Sequence, residues 1–253
     1  MKTYKFIFYS FFICAFIQLN AQNEHELSFN AGIYQLRSDY GINNDSETNF
    51  GNQGVSLSLN YYYNKSYRGG RAYFNKHFKY RGNLIFSTVN LEHFGPDADD
   101  PRLASMTGSS NIFTIGNSLE YYPLGIETRR YNSFNSFLNN LSPYASIGLG
   151  VNFVSSDAES SLSGGINNID NVFPTFISES DSKGINTDSE VVLSLLGNVG
   201  VRYKVNNQSD ILLESTWMFF DSDLVDGLSP VGPQNKNKDW SWGISIGYTY
   251  MIF

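Results

Sequence analysis

From residue 26 onward the chain alternates bulky apolar side chains with small or polar ones at a period of two. That is the period at which a β-strand presents its faces. The run over 240–253 is the longest. Its even positions are Trp240, Trp242, Ile244, Ile246, Tyr248, Tyr250 and Ile252. Its odd positions are Ser241, Gly243, Ser245, Gly247, Thr249, Met251 and Phe253, mostly small or polar. Trp stands at one end of the apolar face and Tyr near the other, as in a strand that crosses a bilayer between two aromatic girdles. A membrane strand needs roughly 9–11 residues, whereas strands of about 5–6 are usual in globular proteins. Phe253 falls out of phase with Tyr250 and Ile252, on the small-residue face.

Seven further strands are predicted upstream. They cover 26–36, 55–63, 78–91, 111–122, 143–154, 190–204 and 210–220. The apolar faces include Leu27, Phe29 and Ile33 in the first, Val55, Leu57 and Leu59 in the second, and Ala145, Ile147, Leu149, Val151 and Phe153 in the fifth. In the fourth, Phe113, Ile115, Leu119 and Tyr121 share a face that Asn117 interrupts. The loops over 37–54, 92–110, 155–189 and 221–239 are rich in Gly, Asn, Ser and Asp. The opposite set covers 64–77, 124–142 and 205–208. Eight strands are expected, and a pair added from 172–178 or from part of the 124–142 connector would make ten. An even count closes an antiparallel barrel with both ends of the chain on one side of the membrane and the long loops outside.

Periodicity alone does not say which face is outward. A water-soluble eight-stranded cup would bury the apolar face, and a membrane barrel would show it to lipid. Strand length and aromatic ends favour an all-β, antiparallel transmembrane barrel. So does export. Lys2 and Lys5, an apolar core over 6–17 and Leu19-Asn20-Ala21 read as a secretory signal over 1–21, leaving 22–253 as one barrel domain in the outer membrane. Cys14 is the only cysteine and follows Ile13, so neither lipidation nor disulfides are expected. The formal charge is −7, and −9 without Lys2 and Lys5, which argues against nucleic acid. Aromatics make up 16% of the chain. Proteins that cross a membrane without long apolar runs do so as closed barrels.

Several motifs bear a resemblance. Ser142-Pro-Tyr-Ala-Ser-Ile-Gly-Leu-Gly150 is similar to a recurrent strand of small outer-membrane barrels. Ser38-Asp-Tyr-Gly41, His93-Phe-Gly-Pro96, Met106-Thr-Gly108 and Leu119-Glu-Tyr-Tyr-Pro-Leu-Gly-Ile126 resemble a family of small barrels from gliding, type IX-secreting bacteria. That resemblance implies no catalytic residue. It implies kinship with barrels that serve as accessory subunits of envelope machines, including the PorG-like component of type IX secretion. A last strand carrying Tyr248, Tyr250 and Phe253 also resembles the signal by which such barrels reach the barrel-assembly machinery.

The candidate chemistry is thin. Asp97, Asp99 and Asp100 could offer carboxylates to Ca²⁺, but lack the loop spacing of an EF-hand, and a solvated turn between Pro96 and Pro101 is the plainer reading. His93, with Glu92 beside it and Ser105, Ser109 and Ser110 downstream, is the one base-and-nucleophile set for a lipid-modifying hydrolase. His25 is expected in solvent and His77 at a strand edge among cations. The connector over 64–77 is basic, with Lys65, Arg68, Arg71 and Lys76, and Arg68, Arg71, Arg129 and Arg130 suit phosphates, a periplasmic partner or, more simply, snorkelling at a membrane edge. The glycine pairs Gly69-Gly70 and Gly164-Gly165 are turn residues without a following helix. The interior of an eight-stranded barrel is just wide enough for side chains to fill. Asn60, Arg81, Asn83, Asn152, Arg202, Lys204 and Glu214 are predicted to fill it as a polar plug. The expected function is therefore non-enzymatic and without cofactor: an accessory or scaffold subunit in type IX secretion, gliding or barrel assembly, embedded among outer-membrane lipids and lipopolysaccharide. The alternative is a free-standing surface barrel whose acidic loops bind ions, lipid headgroups or an external ligand.

Overall fold

The computed structural model describes residues 24–38, 40, 51–64, 73–93, 99–126, 140–171, 185, 187–228 and 238–252. The signal segment 1–21, Phe253 and the 172–178 stretch lie outside these residues. Eight antiparallel strands run in sequence order around a closed ring: β1 (Glu24–Arg37), β2 (Gln53–Asn64), β3 (Phe78–Glu92), β4 (Met106–Tyr121), β5 (Leu141–Ser160), β6 (Glu190–Lys204), β7 (Ser209–Phe220) and β8 (Trp240–Ile252). The ring closes between the first and last strands, in register from His25↔Ile252 to Arg37↔Trp240. Closure leaves no strand edge within the wall, which is what a hydrocarbon solvent demands of a sheet.

The alternating faces sort as the period predicts. Ile147, Leu149, Val191 and Ile246 are 62–70% exposed, on an outer surface shared with Phe29, Leu59, Ile115, Leu193 and Leu213. Facing inward are Asn60, Arg81, Asn83, Asn152, Arg202, Lys204 and Glu214, all buried. A barrel that shows its apolar face and buries its charges is built for lipid outside. The soluble-cup alternative would require the reverse. No helix among the described residues is long and apolar enough to cross a membrane, and the crossing is made by strands.

Two strands are longer than their alternation suggested. β4 begins at Met106, not 111, and β5 reaches Ser160, not 154, so the expected loops over 92–110 and 155–189 are shorter. The cause is an inversion of phase. Along β5 the outward positions are apolar through Phe153 and then become Ser155, Asp157 and Glu159, while the inward ones change from Ser146, Gly148 and Asn152 to Val154 and Ala158. β4 inverts likewise: Thr107, Ser109 and Asn111 face out above Phe113, and Met106 and Ile112 face in above Thr114 and Ser118. Above the inversion the barrel is wet outside and oily inside, like a soluble one. There Tyr34, Leu36, Val89, Leu91, Met106, Ile112, Val154, Leu196, Met218 and Phe220 form one buried apolar cluster.

The two halves should therefore answer substitution differently. Ile115→Arg, on the lipid face, is expected to cost about 2–4 kcal/mol, while Thr107→Arg, on the same face of the same strand, should stay within about 0.5 kcal/mol. Urea unfolding of the barrel in lipid vesicles measures both. In the upper interior, Leu91→Ala should cost about 2–5 kcal/mol by the same assay, the usual penalty for an apolar cavity.

Candidate functional site

Below the apolar cluster the lumen is crossed by charge. Arg81 stands on β3 and Glu214 on β7, four strands apart in a ring of eight, so their pairing spans the full diameter. Arg81 Nη2 donates to Glu214 Oε1 at 2.8 Å, and Arg81 Nη1 donates to the other oxygen. The same guanidinium reaches Glu120 at 3.2 Å and Asn60 Oδ1 at 3.1 Å. Arg202 Nη1 donates to Glu26 at 2.6 Å and its Nη2 to Glu120 at 3.3 Å. Lys79 closes on Glu26 at 2.5 Å. Three cations and three carboxylates thus interleave across β1, β3, β4, β6 and β7. Each is no more than 3% exposed.

Tyrosines complete the network. The Tyr144 hydroxyl donates to Glu214 at 2.8 Å and the Tyr122 hydroxyl to Glu120 at 2.6 Å. The Arg202 guanidinium lies 4.2 Å from the Tyr62 ring centroid, within cation–π range. Gly200 makes this possible, since a Cβ there would stand 2.6 Å from the Tyr144 ring. Charges buried this deeply persist only when paired and hydrogen-bonded on every side. Above the network lies a cavity of about 30 Å³ lined by Asn30, Tyr34, Ser58, Arg81, Glu214 and Ser245 among others. Asn30 Nδ2 and the Tyr34 and Ser241 hydroxyls are buried without a hydrogen-bond partner among the described residues. The volume and polarity suit one or two water molecules.

Protein also occupies the far mouth. The β7–β8 connection turns inward, burying Val225, Asp226 and Leu228. Ser110 on β4 donates to the Val225 carbonyl at 2.6 Å, and the Val225 amide donates to Asp239 at 3.0 Å. Leu228 bridges to Ile185. Lumen and mouth are thus occupied by protein along the axis.

The hydrolase set does not come together. His93 packs beside the Tyr40 ring, with centroids 5.0 Å apart. The Ser105 hydroxyl donates to the Arg102 carbonyl at 2.7 Å and Ser110 to Val225, so both hydroxyl protons are directed elsewhere. Glu92 is exposed. Asp97 lies outside the described residues. Asp100 is the N-cap of α2 (Pro101–Ala104): it accepts from the Arg102 amide at 2.9 Å and from the Arg102 guanidinium at 2.6 Å. That guanidinium holds the Asp100 carboxyl below the usual carboxylate range. Asp99 is exposed beside it. No group of three metal-ligating side chains occurs among the described residues.

At the end where β1 begins and β8 stops, aromatic groups gather. His25 is not a solvated tail residue but part of β1, with Nδ1 2.5 Å from the Tyr61 hydroxyl and its ring beside Tyr63. His77 ends α1 (Tyr73–His77), stacks on Tyr73 at 4.2 Å and binds the Tyr122 carbonyl through Nδ1. Tyr248 and Tyr250 face lipid in the same girdle. Of the basic connector residues, Lys76 is in α1, while Lys65, Arg68, Arg71, Arg129 and Arg130 lie outside the described residues. Gly164 and Gly165 turn the chain at φ 95° and 58°, and one turn of 3₁₀ helix does follow them, at Gly165–Asn167. Gly69 and Gly70 are outside the described residues.

Glu26, Lys79, Glu120, Tyr62, Tyr122 and Tyr144 are absent from the predicted plug. Their signal was parity: each stands on the polar side of its strand, and a charge there has only the lumen to occupy.

No protein-family model and no curated protein matches this chain. Among solved structures, it is similar to the attachment invasion locus protein Ail of Yersinia pestis, at 13% identity over 91% of this chain and 99% of that one, with a TM-score of 0.44. It is similar to Neisserial surface protein A at 13% identity over 89% and 96%, with a TM-score of 0.44. It is also similar to OprG of Pseudomonas aeruginosa at 14% identity over 91% and 97%, with a TM-score of 0.38. These are likenesses of architecture, and the fold is read from the strand pairing itself.

The cross-lumen bridge yields a sharp expectation. Arg81→Leu or Glu214→Leu alone strands a buried charge and should cost about 3–5 kcal/mol. The double replacement should recover most of that loss. Urea unfolding of the three variants in vesicles measures the coupling, and additive single effects would contradict it.

Proposed function

We propose that this chain is an integral outer-membrane barrel without catalytic or transport chemistry of its own, acting as an accessory or scaffold subunit of a larger envelope assembly. The observation that supports this reading is a lumen filled by paired side chains. Arg81 and Glu214 tie opposite walls together, and Val225 and Leu228 roof the mouth. A barrel closed in this way offers other molecules only its two ends and its lipid-facing wall. Type IX secretion, gliding and barrel assembly are the machines to which the sequence resemblance points. On this reading the tyrosine-rich end faces the periplasm and the tall end of β4 and β5 faces outward. Tyr248, Tyr250 and Phe253 would serve recognition by the assembly machinery, and outer-membrane lipids and lipopolysaccharide would surround the belt.

A second reading rests on the tall end. β4 and β5 carry Thr107, Ser109, Asn111, Ser155, Asp157 and Glu159 above the apolar belt as a polar, paired sheet. A free-standing surface barrel would meet an ion, a lipid headgroup or an external ligand there.

Extraction of the tagged native protein in mild detergent, followed by sizing and mass spectrometry, separates the two. The expected result is a stoichiometric complex containing other envelope proteins. A lone, heat-modifiable barrel would overturn the subunit reading in favour of the second. In planar bilayers the purified barrel should pass no steady current, and reproducible single-channel conductance would show that the lumen is not sealed.

A further inference from the structure

The lipid-facing wall contains two polar side chains with apolar neighbours on either side along their own strands. Ser215 lies between Leu213 and Trp217, and Asn117 lies between Ile115 and Leu119. Ser215 is provided for, since Trp242 Nε1 donates to its hydroxyl at 2.8 Å. Asn117 is not. Its side chain is exposed in the belt and makes no hydrogen bond to any described residue. A carboxamide held in hydrocarbon without partners is costly, and membrane proteins place such groups where another protein segment satisfies them.

The surface next to it has been left open. Gly82 stands beside Asn117 in register on β3, with Tyr61 beyond it on β2 and Leu149 on the other side on β5. A Cβ at Gly82 would meet only Asn117 Oδ1 and the Tyr61 carbonyl, each 3.9 Å away. The fold therefore does not need glycine there for its own packing, although glycine weakens a strand interior. What the missing side chain leaves is a notch on the outer wall beside the amide. Gly197 is open outward too, but its register neighbours are Ile147 and Trp217, and no polar group accompanies it. Small residues that admit close approach, joined to a side-chain amide, are the two features of protein contacts within membranes.

The structure assigns this wall of β3 and β4 to a second copy of the same chain, with Asn117 of each copy paired across a two-fold axis over the Gly82 notches. Two features select that occupant. A carboxamide is donor and acceptor at once, so it is its own complement. All copies of a barrel enter the membrane in the same direction, so a two-fold axis between them lies along the membrane normal and every wall residue sits at the depth of its own copy. Among the described wall residues of this chain, Asn117 thus finds a matching amide at its own level by meeting itself. This contact is independent of membership in any larger machine, because it needs nothing but this chain and a bilayer.

The test uses the full-length chain in isolated outer membranes, oxidised with a lipid-soluble catalyst. Asn117→Cys should give a cross-linked product of twice the chain mass that contains this chain alone. Ile246→Cys, lipid-exposed on β8 across the ring, should remain monomeric, as should the unsubstituted chain. In vesicles of purified protein, energy transfer between labelled copies should show Asn117→Leu weakening association about five- to thirty-fold, which is about 1–2 kcal/mol at 1.4 kcal/mol per tenfold. Gly82→Leu should weaken it as well, and Asn117→Gln should retain more of it than the leucine variant. Heat-modifiability of every variant confirms that the barrels are folded. Equal cross-linking at both sites, no product at position 117, a product containing a different protein, or unchanged association of Asn117→Leu would each overturn the assignment. A lone dimer in detergent would support this contact while overturning the machine-subunit reading, so the two fail separately.

Discussion

Hydrocarbon offers a backbone amide nothing to bind, and the rest of this molecule follows from that. Each strand must find a partner on both sides, so β8 has to come back to β1. Eight strands joined this way enclose a lumen too narrow for bulk water and too wide to stay empty. Side chains must fill it, and since the outward half of the alternation is committed to lipid, the inward half is free to be polar. The Arg81–Glu214 bridge is the response to that geometry, one long cation reaching across the full diameter to its carboxylate. The other ion pairs surround it because a charge buried in the lumen is tolerable only when its neighbours are charged in the opposite sense.

The same constraint explains what could be read in the chain and what could not. Strand identity was legible wherever the outward face was Leu, Ile, Val or Phe, as in β2 and β8, where the expected and observed strands agree to within a residue or two. The predicted plug residues, from Asn60 to Glu214, all proved to be buried. The upper turns of β4 and β5 were missed because Thr, Ser, Asn and Asp on a water-facing strand look like loop residues, and the apolar partners that would betray them, such as Ile112 and Val154, had moved to the other parity. Pairings across the lumen were illegible in principle. Nothing local to Glu26 says that its partners lie at Lys79 and Arg202, since that proximity exists only once the ring has closed. The proposed chemical sites fare similarly. His93 and its neighbouring serines are close in sequence, yet the end of α2 and the β7–β8 connection direct the Ser105 and Ser110 hydroxyls to backbone carbonyls instead.

What remains available for function is surface. With lumen and mouth occupied, the walls and ends differ mainly in how completely they are finished. Ser215 has its indole and Asp100 its guanidinium, whereas Asn117 beside Gly82 is left incomplete by the described residues. Incompleteness of that kind is informative in a membrane, where water cannot make up the difference.

The inversion of phase along β4 and β5 has a mechanical meaning. It draws a float line around the barrel. If the molecule rose, Phe113 and Phe153 would emerge into water, and if it sank, Asn111, Ser155 and Asp157 would be dragged into oil. Either displacement is opposed, so the barrel rides at one height in a bilayer of given thickness and the bilayer must conform to it. Encounters with neighbours are thereby reduced to two dimensions, since each wall residue is presented at a fixed level and only rotation about the membrane normal remains to be searched.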